Sequence, residues 1–139
     1  MATIVIPGGG SAASSTLTAS CTAADDLGDC VKISGDAVDG VYQVASVDIT
    51  AADPNPACGI IISKSSPTDC VVQVSGIMSG IYTGLTSGRL YFVDVNSRLD
   101  TDPPVPPGAG DTRYVQSMGQ AVSDDVIVLA PALPIKRVG

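Results

Sequence analysis

The sequence predicts an all-β fold: a small antiparallel β-barrel or sandwich with an extended N-terminal arm and long loops rich in proline and glycine. Val and Ile together number 28 against 7 Leu, and all 14 acidic residues are Asp, so β-branched residues replace the helix formers Leu and Glu. Gly contributes 15 residues and Pro 10, which suits a chain with many turns. Apolar runs bounded by turn residues recur about every ten residues, as a sandwich or barrel requires.

The first half of the predicted domain contains two hairpins. Residues 30–34 and 41–45 are apolar segments on either side of Asp39-Gly40, a dipeptide that favours a tight hairpin turn. Residues 59–63 and 70–74 are unbroken apolar runs joined by the polar segment 64–69, and such runs indicate central strands. Between the two hairpins, Asp53-Pro54-Asn55-Pro56 predicts a rigid surface loop.

The second half continues the same pattern. Residues 77–83 extend the preceding strand beyond a glycine, 84–88 form a turn, and 89–95 form a strand that holds two of the aromatic residues. A short strand is expected near Leu99, and the proline-rich segment 102–108 is expected to be a surface loop because proline cannot donate to a central ladder. Residues 113–122 and 126–130 form the last predicted pair, separated by Ser123-Asp124-Asp125.

This pattern divides the 139 residues into a flexible or extended arm at 1–20, one β domain at 21–130 and a C-terminal coil tail at 131–139. The arm is rich in small residues and carries an apolar trio, Ile4, Val5 and Ile6. Two interpretations stay open: a disordered terminus, or an arm that adds a strand to a neighbouring subunit. The trio is too short for a signal peptide or a membrane span, so we expect a soluble chain made in the cytoplasm.

The composition argues against several function classes. The chain has no His, which excludes Ser-His-Asp catalysis and most zinc sites, so we expect no enzyme activity and no cofactor. Its net charge of −7 makes nucleic acid an unexpected partner. Adjacent acids such as Asp124 and Asp125 lack the register of a calcium loop and are interpreted as turn residues. Charged residues make up only 15% of the chain, which indicates either a surface covered by another protein or a surface rich in Ser and Thr.

Four cysteines, Cys21, Cys30, Cys58 and Cys70, allow three pairings that the sequence does not distinguish. Buried free thiols are the first interpretation because the cytoplasm is reducing, disulfides formed after release from the cell are the second, and zinc is the third. Cys30 with Cys70 is the disulfide to test first, since both stand at the starts of predicted strands.

Residues 56–131 contain short segments in an order that resembles a module of tailed bacteriophages. The segments are Ala57-Cys58-Gly59-Ile60-Ile61, Gln73-Val74-Ser75-Gly76, the run from Tyr82 to Val93, and Val115 to Ala121. About half of the chain is similar in this way to capsid decoration (cement) proteins and to related modules in phage fibres and virion appendages.

The resemblance implies a virion structural protein that is made in the host bacterial cytoplasm and lies on the capsid surface. It would bind the outside of the assembled phage head, often as a homotrimer, and stabilise it by bridging major capsid protein subunits, without nucleic acid or membrane as partner. In that case Ile4, Val5 and Ile6 are expected to anchor on a capsid subunit or on a neighbouring copy. The alternatives are a fibre or appendage module that attaches through its arm, and a carbohydrate-binding adhesin domain.

Overall fold

The computed structural model describes residues 14–51, 55–104 and 108–138, and these residues form β-strands joined by turns and loops, with no helix among them. The all-β class is therefore confirmed. The strands are β1 (Ser15–Ser20), β2 (Cys30–Val38), β3 (Val41–Ser46), β4 (Gly59–Lys64), β5 (Asp69–Ser79), β6 (Leu90–Val93), β7 (Leu99–Asp100), β8 (Thr112–Val115), β9 (Ser117–Ala121), β10 (Val126–Leu129) and β11 (Ile135–Val138).

The first five strands close into a ring. They follow the order β1-β3-β2-β4-β5, and β1 also pairs with β5, so the first and last strands of this order are neighbours. The β1–β3 pairing is parallel, with Ala19 opposite Tyr42, whereas the β1–β5 pairing is antiparallel, with Ala19 opposite Cys70. Closure removes the exposed strand edges that an open sheet would have here.

The interior of the ring is filled by small side chains. One buried cluster draws on all five strands and consists of Ala19, Cys21, Val31, Val44, Ile61, Cys70 and Val72. A narrow barrel has room for a single layer of side chains, so Ala, Cys and Val are the sizes that fill it without strain.

Strand β5 belongs to both halves of the molecule. Its first part pairs with β1 and β4, and its last four residues pair with β10 instead. The change of partner occurs at Gly76, whose φ of 92° suits glycine far better than other residues. From β10 the sheet continues through β9 and β6 to β7, and its inner face forms a second, larger cluster that includes Met118, Ile127 and Leu129.

The predicted hairpins are confirmed. Asp39 and Gly40 both have positive φ, at 50° and 78°, as the tight turn between β2 and β3 requires. Strands β4 and β5 pair as predicted and lie in the interior of the sheet order, and β9 pairs with β10 across the predicted turn.

The ends of the domain differ from the sequence-based division. Residues 15–20 were expected to belong to the arm, but they form β1, which lies between β3 and β5. Residues 131–139 were expected to be coil, but β11 pairs with β8 in a separate two-stranded ribbon. The predicted strand 113–122 is two strands, β8 and β9, separated at Gln116. The proposed anchor Ile4, Val5 and Ile6 lies outside the described residues.

Candidate interaction surfaces

An apolar row crosses the outer face of the second sheet. Ile77 in β5 lies opposite Val128 in β10, Val128 lies opposite Gln120 in β9, and Gln120 lies opposite Leu90 in β6. These registers place one side chain from each of four neighbouring strands in line. Ile77, Val128 and Leu90 are 46%, 40% and 51% exposed, although each stands in a regular strand. We call Ile77, Val128, Gln120 and Leu90 the outer row.

Val122, two residues after Gln120 along the chain, is a further exposed apolar residue, at 53%. At the Ile77 end of the outer row lies the start of the described chain, because the hydroxyl of Ser14 donates a hydrogen bond to the carbonyl of Ile77, with 3.3 Å between the oxygens. Single exposed apolar residues are ordinary, but aligned ones on a rigid sheet form the kind of contiguous patch that marks an interaction site.

Two of the described strands, β7 and β11, each have one edge without a paired strand. One is β7, the last strand of the nine-stranded order, which has only two residues and is followed closely by Pro103 and Pro104. Short strands and nearby prolines protect an edge from pairing. The other is β11, whose four residues are all exposed and which pairs with β8 on one side.

The ribbon of β8 and β11 concentrates positive charge in an acidic chain. It holds Arg113, Lys136 and Arg137, three of the seven basic residues. Arg137 lies directly opposite Arg113, and like charges in that position repel each other. Arg137 also donates a hydrogen bond to the carbonyl of Pro104 at 3.1 Å. The ribbon is therefore an electrostatically distinct, partly apolar surface, with Ile135 and Val138 beside the charges.

A polar seam joins the ring to the second sheet. Arg98 forms an ion pair with Asp29 at 3.2 Å and lies over the ring of Tyr82, with 5.4 Å between the guanidinium carbon and the ring centroid. The Tyr82 hydroxyl donates to the carbonyl of Gly28 and accepts from the amide of Leu99. Burial, followed by the nearby Cys30 side chain, raises the pKa of Tyr82, so this hydroxyl stays protonated as a donor. These contacts fix the relative position of the two halves.

Asp25 and Asp29 are the buried carboxyl groups, and their hydrogen bonds explain their burial without a ligand. Asp25 accepts from the amide and hydroxyl of Thr22, at 2.8 and 3.1 Å, and from the amide and hydroxyl of Ser46, at 3.2 and 2.7 Å. Burial acts to raise the pKa of Asp25, but the bonds from Ser46 and Thr22 together outweigh it and lower the pKa. Among the described residues, no group of three or more Cys or Asp side chains is arranged to hold a metal ion.

All four cysteines are free thiols; three are buried, and Cys58 is half-buried. The predicted first pairing, Cys30 with Cys70, is wrong, because Cys30 belongs to the cluster under the second sheet and Cys70 to the cluster inside the ring. Cys30 begins β2 and Cys70 is the second residue of β5, with β4 between the two strands, and the two side chains belong to different cores. Burial, followed by the charges of Asp94 and Asp29, raises the pKa of Cys30 far above its ordinary range, which makes it an inert core thiol.

The sequence did not identify the outer row. Residues 126–129, which include Val128, are an unbroken apolar run, and such a run does not show which of its faces is left uncovered. The low content of charged residues indicated that another protein could cover part of the surface, but composition does not show which part.

No family model, curated protein or solved structure matches this chain. In the part of the chain that the structure describes, no helix has the length and apolar character needed to cross a bilayer.

Proposed function

We propose that this chain is a virion structural protein, a capsid decoration protein that docks on the assembled phage head and stabilises it by bridging major capsid protein subunits. The observation that carries the proposal is the outer row: three apolar side chains from β5, β10 and β6, each at least 40% exposed, in line on a rigid sheet. The other support is the resemblance of residues 56–131 to decoration proteins.

The outer row is suited to binding another protein because its backbone is already ordered. Strand pairing on both sides fixes Val128, so docking costs little conformational entropy beyond that of the side chains. Burying exposed apolar area contributes roughly 25 cal/mol per Å². A flat, preorganised apolar face is what contact with an already assembled shell requires.

Self-association into a homotrimer would multiply a weak single contact. Linked footprints raise the effective concentration of the second and third contacts, and avidity can exceed the single-site affinity by about 10²–10⁴. The β11 edge offers a place where the arm of a neighbouring copy, with Ile4, Val5 and Ile6, could add a strand. Ser14, where the described chain begins, lies beside Ile77 of the outer row.

The test uses heads assembled without this protein. The purified chain is added, bound copies are counted, and the temperature at which the heads break is measured. The wild type should bind in hundreds of copies and raise that temperature. Val128→Asp and Leu90→Asp should dock at least tenfold more weakly, because a buried unpaired carboxylate costs several kcal/mol. Val38→Asp is the matched control, since Val38 is 58% exposed at the tip of the β2–β3 hairpin.

Two further measurements separate the alternatives. Deletion of residues 2–7 should leave a folded domain that docks poorly; unchanged docking would remove the anchor from the proposal. A fibre or appendage module would be present in far fewer copies per particle than a decoration protein. Reproducible binding on a glycan array would favour the carbohydrate-binding adhesin, and equal docking of Val128→Asp and the wild type would contradict the role of the outer row.

A further inference from the structure

Cys21 and Cys70 lie next to each other where the ring closes. Ala19 in β1 is opposite Cys70 in β5, and the ladder continues past the end of β1, because the amide of Cys21 donates to the carbonyl of Thr68 at 2.9 Å. Cys21 is thus two positions from Ala19 on the same face of the strand and is a diagonal neighbour of Cys70. Both thiols belong to the cluster inside the ring.

The Cys21 side chain is near enough to act on the Cys70 thiol. Burial, followed by the neighbouring Cys21 side chain, raises the pKa of Cys70 to about 12. The Cys21 thiol itself donates a hydrogen bond to the carbonyl of Pro67, with 3.8 Å between sulfur and oxygen. The groups that act on Cys30 are Asp94, Asp29 and Arg98, and Cys58 is affected by burial and its own backbone. Of the four cysteines, Cys21 and Cys70 are the two buried ones that share a cluster and stand diagonally across one ladder.

A bridge at this place needs a small movement of the backbone. Diagonal neighbours in an antiparallel pair have Cα atoms about 7–8 Å apart, slightly more than the limit of about 7 Å for a disulfide. Cys21 is one residue beyond the last residue of β1, so a shift of its backbone acts on the bonds from its amide to Thr68 and from its thiol to Pro67 and leaves the β1 ladder in place. Lys64 lies opposite Cys70, and its positive charge partly offsets the rise in the pKa of Cys70.

We propose that Cys21 and Cys70 are a disulfide site, closed by exchange with a small disulfide oxidant such as oxidised glutathione. One protein thiolate attacks the glutathione disulfide, and one glutathione leaves as a thiolate. The second protein thiolate then attacks the protein sulfur of the mixed disulfide and releases the second glutathione. The two cysteine thiols lose two protons and two electrons, and one glutathione disulfide becomes two glutathiones.

The bridge would lock the seam that closes the ring. It joins β1 to β5 and closes a loop of about 50 residues, for which the loop-closure model predicts a rise in melting temperature on the order of 10 °C in a chain of this size. In a reducing cytoplasm the site stays open, and in an oxidising medium outside the cell it closes. This inference does not depend on the proposed function.

The test oxidises the full chain in a glutathione redox buffer, both folded and during refolding. Free thiols should fall from four to two, the intact mass should decrease by two hydrogen atoms, and peptide mapping should recover the Cys21–Cys70 bridge. The melting temperature should rise and return to its original value after reduction. Cys58→Ser, the matched control, should keep this shift, and Cys21→Ser should lose it.

Mapping of the wild type keeps the test decisive even if a variant folds poorly. A bridge to Cys30 or Cys58, or four free thiols after refolding in millimolar oxidised glutathione, would overturn the assignment. A Cys21–Cys70 bridge that leaves the melting temperature unchanged would overturn the claim that it locks the ring.

Discussion

Replacing the carboxylate of Asp25 should destabilise the domain in a way that depends on pH. Asp25 ties the turn after β1 to the end of β3, because it accepts two hydrogen bonds from Thr22 and two from Ser46. In Asp25→Asn, one oxygen becomes an amide group that faces the donors of either Thr22 or Ser46. Losing one side of this charge-assisted network should lower the free energy of unfolding by about 2–4 kcal/mol at pH 7.

The sign of the pH dependence follows from the lowered pKa of Asp25. Because the folded state holds the carboxylate more tightly ionised than the unfolded chain does, its contribution is complete above the ordinary pKa. It is lost as the pH falls through the lowered pKa of the folded state. The difference between wild type and Asp25→Asn should therefore shrink as the pH falls from 7 toward 2.

Urea denaturation followed by circular dichroism measures this difference, since the chain has no Trp. Asp48→Asn is the matched control: the Asp48 carboxylate accepts similar bonds from the amide and hydroxyl of Thr50, but it is exposed, so solvent screening should keep its cost below about 1 kcal/mol. An Asp25→Asn deficit that stays constant down to pH 2 would refute the electrostatic explanation, and equal costs for the two variants would refute the importance of burial.

Three further substitutions test the packing. Gly119→Ala should lower stability by about 3 kcal/mol or more in a thermal melt, since the added Cβ would lie 2.2 Å from the carbonyl oxygen of Val128. Gly35→Ala is the control and should be nearly neutral, since a Cβ added at Gly35 meets no atom within 4 Å. Gln116→Ala should lower the free energy of unfolding, measured in urea, by about 2–4 kcal/mol, because the Gln116 side chain accepts from the amide of Ala57 and donates to its carbonyl. A cost under about 1 kcal/mol would contradict the importance of these two hydrogen bonds. Gly40→Ala should cost about 1 kcal/mol by calorimetry because its φ is 78°, and a stabilised variant would argue against the tight turn.

The hairpins could be predicted because the information that forms them is local. Asp39-Gly40 specifies a turn with two positive φ values, and the apolar runs on either side supply the strands. Residues 59–74 behave in the same way, with a polar connection between two apolar runs. In each case, neighbours in the sequence are also neighbours in the sheet, so the pattern and the pairing agree.

Strand β1 could not be predicted from its own residues. Its sequence, STLTAS, is small and polar and has the composition of a linker. Its order comes from backbone pairing with β3 on one side and β5 on the other, over separations of more than 20 and 50 residues. A prediction from the strand propensity of these six residues does not include pairing with strands that are distant in the sequence. The same limit explains why Cys21 was not predicted to lie near Cys70, because Cys21 follows directly after the strand that the sequence had assigned to the arm.

The break between β8 and β9 is also a tertiary feature. Gln116 is buried, and its side chain donates to the carbonyls of Ala57 and Ala132 at 2.9 and 2.8 Å, so it takes the place of a strand partner for two distant segments. By anchoring Ala132, it also fixes the chain that leads into β11. A glutamine inside an apolar run looks like an ordinary solvent-facing residue, and only the surrounding fold shows that it is buried.

The unusual composition has two separate physical sources, and only one of them bears on function. Small side chains are required inside the ring, where Ala19, Val44 and Cys70 fill a narrow interior, and this requirement would hold for a monomer with any function. The scarcity of charged residues has another source. Inner faces contain few charged side chains in any fold, so a low content of charged residues must come from the outer surface. There Ile77, Val128 and Leu90 occupy positions that a solvent-facing sheet usually gives to polar residues. The proposal of a docking protein therefore depends on the outer row, and a variant that made this row polar without loss of docking would leave the composition explained by packing alone.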